Sequence, residues 1–105
     1  MERMKMFNPP HPGGFLKRNY LDEVGVKVND FADHIGRDRK TVSRILNEKA
    51  EITPDMAERI AKATNTTAQS WLVMQAAYNL YWQEKEHAAE YAEITVMPVF
   101  NGMAA

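Results

Sequence analysis

Hydrogen-bond donors and positive charges recur at helical spacing between residues 39 and 47. Successive residues lie about 100° apart around a helix axis, so the polar residues share one side within about 140°: Arg39, Lys40, Ser43, Arg44 and Asn47. Thr41 lies at the boundary, and the opposite side is apolar: Val42, Ile45 and Leu46. Guanidinium, ammonium, hydroxyl and amide groups together can hold phosphates and read base edges. The pattern therefore predicts a helix that contacts double-stranded DNA.

The residues before this helix predict a second helix that supports it. Phe31, Ala32 and Ile35 form its inward face, and Ala32 is small enough to let the two helices cross closely. Gly36 is predicted to end this helix with a positive φ, and the Asp38 carboxylate to cap the next one. Two short helices joined by a turn with glycine are typical of a helix-turn-helix. The alternative is an ordinary solvated helix face.

Composition bounds the classes of protein to which this chain can belong. Its 105 residues suit one domain with an arm or tail, and the hydrophobic content of 45% allows a small core. Cysteine is absent, which excludes a disulfide framework and a zinc–thiolate site and fits a reducing cytoplasm. We expect a cytoplasmic protein with no signal peptide and no membrane contact, because no apolar run approaches membrane-spanning length.

The net charge of −1 hides an uneven distribution of charges. Residues 37–49 contain five basic residues and two acids: Arg37, Arg39, Lys40, Arg44 and Lys49 against Asp38 and Glu48. Residues 83–105 contain four acids and one base: Glu84, Glu86, Glu90 and Glu93 against Lys85. The first segment can face phosphate, and the second can face a basic protein.

Apolar periodicity and cap residues predict an all-α fold of five helices. We expect helices over about residues 13–24, 27–35 and 39–48, a fourth from Thr53-Pro54-Asp55 to about residue 64, and a fifth from Thr66-Thr67 to about Tyr91. Residues 1–12 are assigned to an N-terminal arm, residues 13–82 to a helix-turn-helix domain, and residues 83–105 to a C-terminal helix extension and tail. Residues 94–100 read as an apolar extended segment, in which Pro98 excludes an interior strand. This segment either adds an edge strand to a partner or to the second subunit, or it is a frayed end with some local packing.

The predicted fifth helix carries apolar residues on nearly every side. Four other short helices cannot cover them all, so we expect the surplus to meet the same helix of a second copy. The expected dimer interface consists of four aromatic residues and one methionine: Trp71, Met74, Tyr78, Tyr81 and Trp82. A central helix buried within one subunit is the alternative.

Taken in order, these motifs resemble those of the HigA-type antitoxins, which carry a Cro/phage-repressor-like, XRE-type helix-turn-helix. The resemblance covers about residues 9–82. It rests on His11-Pro12-Gly13, on residues 36–53 (GRDRKTVSRILNEKAEIT), and on two helix signatures, Thr53-Pro54-Asp55-Met56-Ala57 and Trp71-Leu72…Gln75…Ala77-Tyr78-Asn79-Leu80. The resemblance implies an antitoxin that neutralises a HigB-type toxin, a small basic ribosome-dependent endoribonuclease. It also implies a homodimer that represses its own toxin–antitoxin operon through a palindromic operator.

By position, the resemblance assigns base reading to Arg39, Lys40, Ser43 and Arg44, and nearby phosphate or base contacts to Thr41 and Asn47. Arg37, Lys40 and Lys49 are expected to hold phosphates. Three residues depart from the family pattern. Lys27 and Val28 stand where a hydroxyl cap and a phosphate-binding Gln are usual, and Glu48 stands where Gly is common. We therefore expect fewer phosphate anchors than the family usually has.

Other classes of function compete with this interpretation. An enzyme is not expected, because His11, His34 and His87 lack metal-ligand spacing and no nucleophile–base pair can be assembled. Neither a cofactor nor a metal is predicted. Two alternatives stay open: a stand-alone phage-like repressor, and a protein-interaction module that does not bind DNA. A small basic reading frame beside this one would favour the antitoxin.

Overall fold

Five helices make up the fold in the computed structural model, which describes residues 8–103. Helix α1 comprises three consecutive segments, Pro12–Leu16, Lys17–Leu21 and Asp22–Val24, of which the middle one is π-helical. The others are α2 (Val28–Ile35), α3 (Arg39–Leu46), α4 (Pro54–Thr64) and α5 (Ala68–Ala92), followed by a 3₁₀ turn at Pro98–Phe100. No strand occurs between residues 8 and 103, and the expected all-α fold is confirmed. Residues 1–7 of the predicted arm and residues 104–105 of the predicted tail lie outside the described residues.

Cap residues set the helix boundaries much as the sequence indicates. Three N-cap oxygens each accept a hydrogen bond from the backbone N–H three residues on: Asp38 from Thr41 (3.0 Å), Thr53 from Met56 (3.3 Å) and Thr67 from Ser70 (3.2 Å). Each bond satisfies a donor that the first turn of a helix leaves unpaired. Gly36 ends α2 in the left-handed conformation, with φ of 76°. Helix α3 ends at Leu46, before the expected Glu48, because Glu48 has a positive φ of 64°.

The apolar faces of α2, α3 and α4 meet in one core. The buried residues are those expected from helical spacing: Phe31, Ala32, Ile35, Val42, Ile45, Leu46, Met56, Ala57, Ile60 and Ala61. Leu16 and Leu21 of α1 are buried with them, and Phe15 and Tyr20 pack at the margin. Removing this apolar surface from water is the main stabilising contribution to a domain of this size.

Trp71 of α5 belongs to this core, which corrects its expected place in a dimer interface. Its side chain is 2% exposed, packs edge-on against Phe15 and Tyr20, and donates from Nε1 to Thr66 Oγ1 at 2.7 Å. Because the subunit already encloses Trp71, the side chain is not available to a second copy.

The rest of α5 leaves a different apolar stripe uncovered. Val73 and Leu80 are each 59% exposed and lie seven positions apart, so they share one face of the helix, with Ala76 exposed between them. Met74, Tyr78, Tyr81 and Trp82, the other expected interface residues, are half-buried. The surplus apolar surface predicted for this helix is present, but it is centred on Val73 and Leu80.

The second half of α5 and the tail extend away from the core. Non-helical dihedrals at His87 (φ −125°, ψ 21°) interrupt the helix. Beyond it, Ile94, Val96, Met97, Val99 and Phe100 are all exposed. Residues 98–100 form a 3₁₀ turn, and the edge strand expected on a partner or on the second subunit stays a prediction.

The start of α1 lies directly against the end of α3. A Cβ atom at Gly13 would lie 1.8 Å from the Ile45 carbonyl oxygen and 2.7 Å from its carbon. Neither backbone atom can move without shifting a helix, so only glycine fits. Gly14 is also enclosed, but there a Cβ would meet side-chain ends, Glu48 Oε2 at 1.9 Å and Arg18 Nη1 at 2.9 Å.

We predict that Gly13→Ala destabilises the protein by about 1–3 kcal/mol or more, because overpacking against backbone forces the helices apart. Gly14→Ala is the matched control. The Glu48 and Arg18 side chains can rotate away from it, so its stability should stay within about 1 kcal/mol of the original. Urea denaturation of both variants gives the free energies of unfolding. Equal losses in the two variants would contradict the assigned backbone contact.

Candidate nucleic-acid interface

The predicted DNA-contacting residues of α3 share one surface of the protein. Arg39, Lys40, Arg44 and Asn47 are exposed, and Ser43 is half-buried among them. Val42, Ile45 and Leu46, on the opposite side of α3, are all buried. The sequence pattern thus corresponds to a helix whose inward side is fixed in the core and whose outward side is polar and cationic.

Several of these polar groups already have partners within the chain. The Thr41 hydroxyl donates to the Asp38 carboxylate at 2.9 Å, so it completes the N-cap of α3 rather than pointing freely outward. These bonds from Thr41 lower the pKa of Asp38. Asn47 Nδ2 donates to Ser43 Oγ at 3.3 Å. Within residues 8–103, Arg39 and Lys40 take part in no ion pair, so their charges are the most available to a ligand.

Arg44 connects α3 to the loop that follows it. Its Nη2 donates to the Lys49 carbonyl oxygen at 3.0 Å. The bond uses one of the five guanidinium N–H donors and leaves the others for a ligand. It also fixes the direction of the side chain, which reduces the conformational entropy that binding would cost.

Arg37, expected to hold a phosphate, is paired with Asp55 at the start of α4. The same carboxylate accepts from Arg59 Nε at 3.0 and 3.2 Å. Hydrogen bonds from Arg37 and then from Arg59 lower the pKa of Asp55. The sequence marked Asp55 only as an acid in the first turn of a helix, and it offered no signal for this pairing across 18 positions of the chain.

Glu48 turns towards α1. Its carboxylate pairs with Arg18 Nη1 at 3.5 Å and lies over Gly14, where the missing side chain leaves room. The positive φ of Glu48, 64°, gives a physical reason for the glycine common in the family at this position. Glu48 therefore holds a strained backbone conformation that glycine would adopt without strain, and its negative charge is paired with Arg18.

Lys27 and Val28, the two departures from the family pattern at the start of α2, differ in what they contribute. Lys27 stands at the N-cap but makes no side-chain capping hydrogen bond. Val28 is half-buried and packs against the core cluster. Val28 therefore contributes packing at a position where the family usually has a polar side chain.

Helix α5 holds the loop that follows α3. Buried Gln75 accepts from the Ile52 N–H at 2.8 Å through Oε1 and donates to Asn79 Oδ1 at 3.1 Å. Asn79 in turn donates to Glu51 Oε2 at 3.2 Å. Gln75 and Asn79 belong to the family signature, but sequence reasoning gave them no role. Their role is to fix the loop that carries Lys49.

His11 lies beside the same loop and is buried. Its Nδ1 accepts from the Gly13 N–H at 2.9 Å, which makes it the N-cap of α1, and its ring packs edge-on against Tyr78 with centroids 4.9 Å apart. Burial lowers the pKa of His11, against the opposing influence of Glu48, the Ala50 carbonyl and Glu51. An acceptor role for Nδ1 requires the neutral ring, so the cap and the pKa agree.

Between residues 8 and 103 no three His, Cys, Asp or Glu side chains are grouped so that they could hold a metal ion. In the same range, no helix combines the length and the apolar composition needed to span a bilayer.

A helix-turn-helix family profile matches residues 17–71, which include α2, the turn at Gly36 and α3. The chain belongs to this helix-turn-helix family. Virulence-associated protein A of Dichelobacter nodosus is 40% identical over 100 residues, which cover 94% of this chain and 98% of that protein.

Two solved structures of DNA complexes are similar to this chain. The antitoxin GraA in complex with its operator has a TM-score of 0.81 and 30% identity over 87% of this chain and 93% of that one. The Pseudomonas aeruginosa antitoxin HigA with the higBA promoter has a TM-score of 0.77 and 28% identity over 87% of this chain and 98% of that one. The resemblance to HigA-type antitoxins is confirmed, and the protein is a HigA-like helix-turn-helix regulator.

We predict that His11 makes stability fall at acidic pH. The pKa of its folded form lies below the unfolded value of 6.5, so the unfolded chain binds more protons between these two values. The stabilising contribution is complete above pH 6.5 and is lost as the pH falls through the folded pKa. In His11→Asn the cap acceptor remains but the titration is removed. Melting temperatures across this range should fall less steeply for the variant. Identical slopes would show that His11 is not responsible.

Proposed function

We propose that this protein is the antitoxin of a HigBA-type toxin–antitoxin system, which represses its own operon and neutralises its toxin in the cytoplasm. The observation that supports this most is the exposed cationic face of α3, held on a buried apolar side and followed by a loop fixed to α5. A helix presented in this way suits the major groove of DNA, which accepts one α-helix.

The acids near this face support the proposal, although the net charge is negative. Asp38 is engaged in the cap of α3, and Glu48 is paired with Arg18. Neither carboxylate forms an ion pair with Arg39 or Lys40. The cationic face is therefore available to phosphate, and the acidic excess lies in residues 83–105.

Two copies of α3 would bind one palindromic operator. In this arrangement a homodimer forms through the stripe of Val73, Ala76 and Leu80, with Tyr81 and Trp82 at its margin, and places the two helices in successive major grooves about 34 Å apart. Arg39 or Arg44 reads guanine with two hydrogen bonds. Lys40 and Lys49 hold phosphates, as does Arg37 once it is released from Asp55.

Replacing Arg39 by Ala should weaken operator binding by about 1–3 kcal/mol and relax specificity at one base position, because a bidentate contact to guanine is lost. Arg44→Ala tests the second candidate reader, and Lys85→Ala on the second half of α5 is the control for lost positive charge. Fluorescence anisotropy on the duplex upstream of this reading frame, and on singly substituted duplexes, gives the affinities.

The wild-type complex should contain two chains per duplex and weaken steeply with salt. Equal weakening on all duplexes would make Arg39 a phosphate contact. A flat salt dependence, or no binding at low salt, would rule out the repressor function itself.

For the toxin partner we propose the surface from Glu84 to Phe100. Three carboxylates on its helical part and Glu93 directly after the helix complement a small basic protein, and its tail exposes Ile94, Val96, Val99 and Phe100. Acidic side chains would direct the encounter, and the apolar tail would supply buried area in the complex.

Truncation after Trp82 should abolish or strongly weaken neutralisation of the toxin encoded by the adjoining reading frame. Truncation after Glu93 keeps the acidic helix and removes only the tail, so the two variants together separate charge from apolar contact. A full-length variant with Glu84, Glu86, Glu90 and Glu93 replaced by Gln tests charge without shortening the chain. Recovery of growth on toxin expression, and co-purification of toxin, are the measurements. Unchanged neutralisation after truncation at Trp82 would exclude this surface.

A further inference from the structure

The carboxylate of Asp55 holds two arginines that differ in how firmly they are fixed. Arg59 donates Nε to Asp55 at 3.0 Å and also donates Nη1 to the Ile35 carbonyl at 2.8 Å, which closes the end of α2. Arg37 has one side-chain partner among the described residues, and that partner is Asp55. Of the three groups, Arg37 is therefore the one that can leave without breaking a second contact.

Arg37 also lies at the edge of the cationic face. It occupies the turn between Gly36 and the N-cap Asp38, two positions before Arg39. Its neighbour Asp38 forms no ion pair with Arg37 in the described part of the chain and instead accepts from the Thr41 N–H and hydroxyl at 3.0 and 2.9 Å. Side chains of Arg37 and Asp55 are 38% and 52% exposed, so an approaching phosphate can reach the pair.

We propose that Asp55 limits the sequence-independent affinity of this protein for DNA, because it restrains Arg37 until an operator phosphate displaces it. The inference rests on the proposed repressor function and adds a residue that does not itself belong to the DNA-contacting set. Sequence-independent affinity comes from phosphate contacts. On DNA where α3 is not seated on its bases, Arg37 stays with Asp55 and contributes little to binding. At the operator, the seated helix brings a phosphate to Arg37, and one anionic partner replaces the other.

Asp55→Asn removes the charge of the restraint, while the amide oxygen can still accept from Arg59. The variant should bind a duplex of scrambled sequence about two- to five-fold more tightly, the range expected for releasing an exposed ion pair. The slope of log affinity against log salt for that duplex should steepen by about 0.9 per bound chain, because one more phosphate is neutralised. Operator affinity should rise as well, because the phosphate there no longer has to displace a carboxylate from Arg37.

Glu58→Gln is the matched control, since Glu58 is an exposed acid on the same helix that forms no ion pair in the described part of the chain. It should leave both affinities unchanged. In an Arg37→Ala background, Asp55→Asn should have no effect on the scrambled duplex, because the cation it would release is absent. An effect that persists in that background, or an equal effect of Glu58→Gln, would contradict the restraint of Arg37 by Asp55. It would mean that the loss of any negative charge on this helix tightens DNA binding.

Arg37→Gln provides a second arm that does not depend on the folding of the Asp55 variant. It should flatten the salt slope on the operator by about 0.9 per chain and leave the slope on the scrambled duplex unchanged. Equal flattening on both duplexes would mean that Arg37 is never restrained.

A purely structural role for Asp55 would lower the melting temperature and weaken operator binding without tightening the scrambled duplex, and this result would also overturn the proposal. A wild-type chain that binds neither duplex would exclude both the repressor function and the restraint, whereas normal wild-type binding with unchanged variants would exclude only the restraint.

Discussion

The contact between Gly13 and the Ile45 carbonyl is the constraint on which the arrangement of the other elements depends. The missing Cβ lets the first turn of α1 rest on the last turn of α3. That approach places His11 beside Tyr78, and so brings α5 to the same point. Three helices far apart in the chain thus converge beneath the loop after α3. The exposed side of α3 is rigid because its other side, its C-terminal end and the following loop are each held by a different helix.

The carboxylates close to the cationic face cap a helix or form ion pairs that join elements of the fold. Asp38 caps α3, Glu48 pairs with Arg18, and Asp55 joins Arg37 to Arg59. Charge counted along the sequence makes residues 37–49 look partly neutralised. In three dimensions Asp38 is engaged at the N-terminus of α3, Glu48 and Asp55 pair with arginines outside that helix, and the charges of Arg39 and Lys40 stay exposed. A chain of net charge −1 can therefore present a local surface that suits an anionic ligand.

Helix α5 performs different tasks along its length. Its first turns supply Trp71 to the core and Gln75 to the loop after α3. Its middle exposes Val73 and Leu80, and its end carries carboxylates before the break at His87 and the apolar tail. Such a helix has no single apolar face, because its first turns pack in the core and its middle exposes other apolar side chains. The similarity to antitoxins solved with operator or promoter DNA covers 87% of this chain, which is more than the helix-turn-helix alone.

Local chemistry in the sequence was sufficient to determine the five helices, the N-caps of α3, α4 and α5, and most of the buried sides. Asp38, Thr53 and Thr67 each cap a helix through a hydrogen bond that reaches three residues along the chain. The spacing of Val42, Ile45 and Leu46 puts all three on one side of a helix, and that side is buried. The tertiary structure alone decided the partners of Arg37, Glu48 and Gln75, the burial of Trp71 and the reason for Gly13. Each of these depends on which surfaces meet across 18 or more positions of the chain. Side chains of the same type can pair with many neighbours at that range, and only the packing of the core selects one.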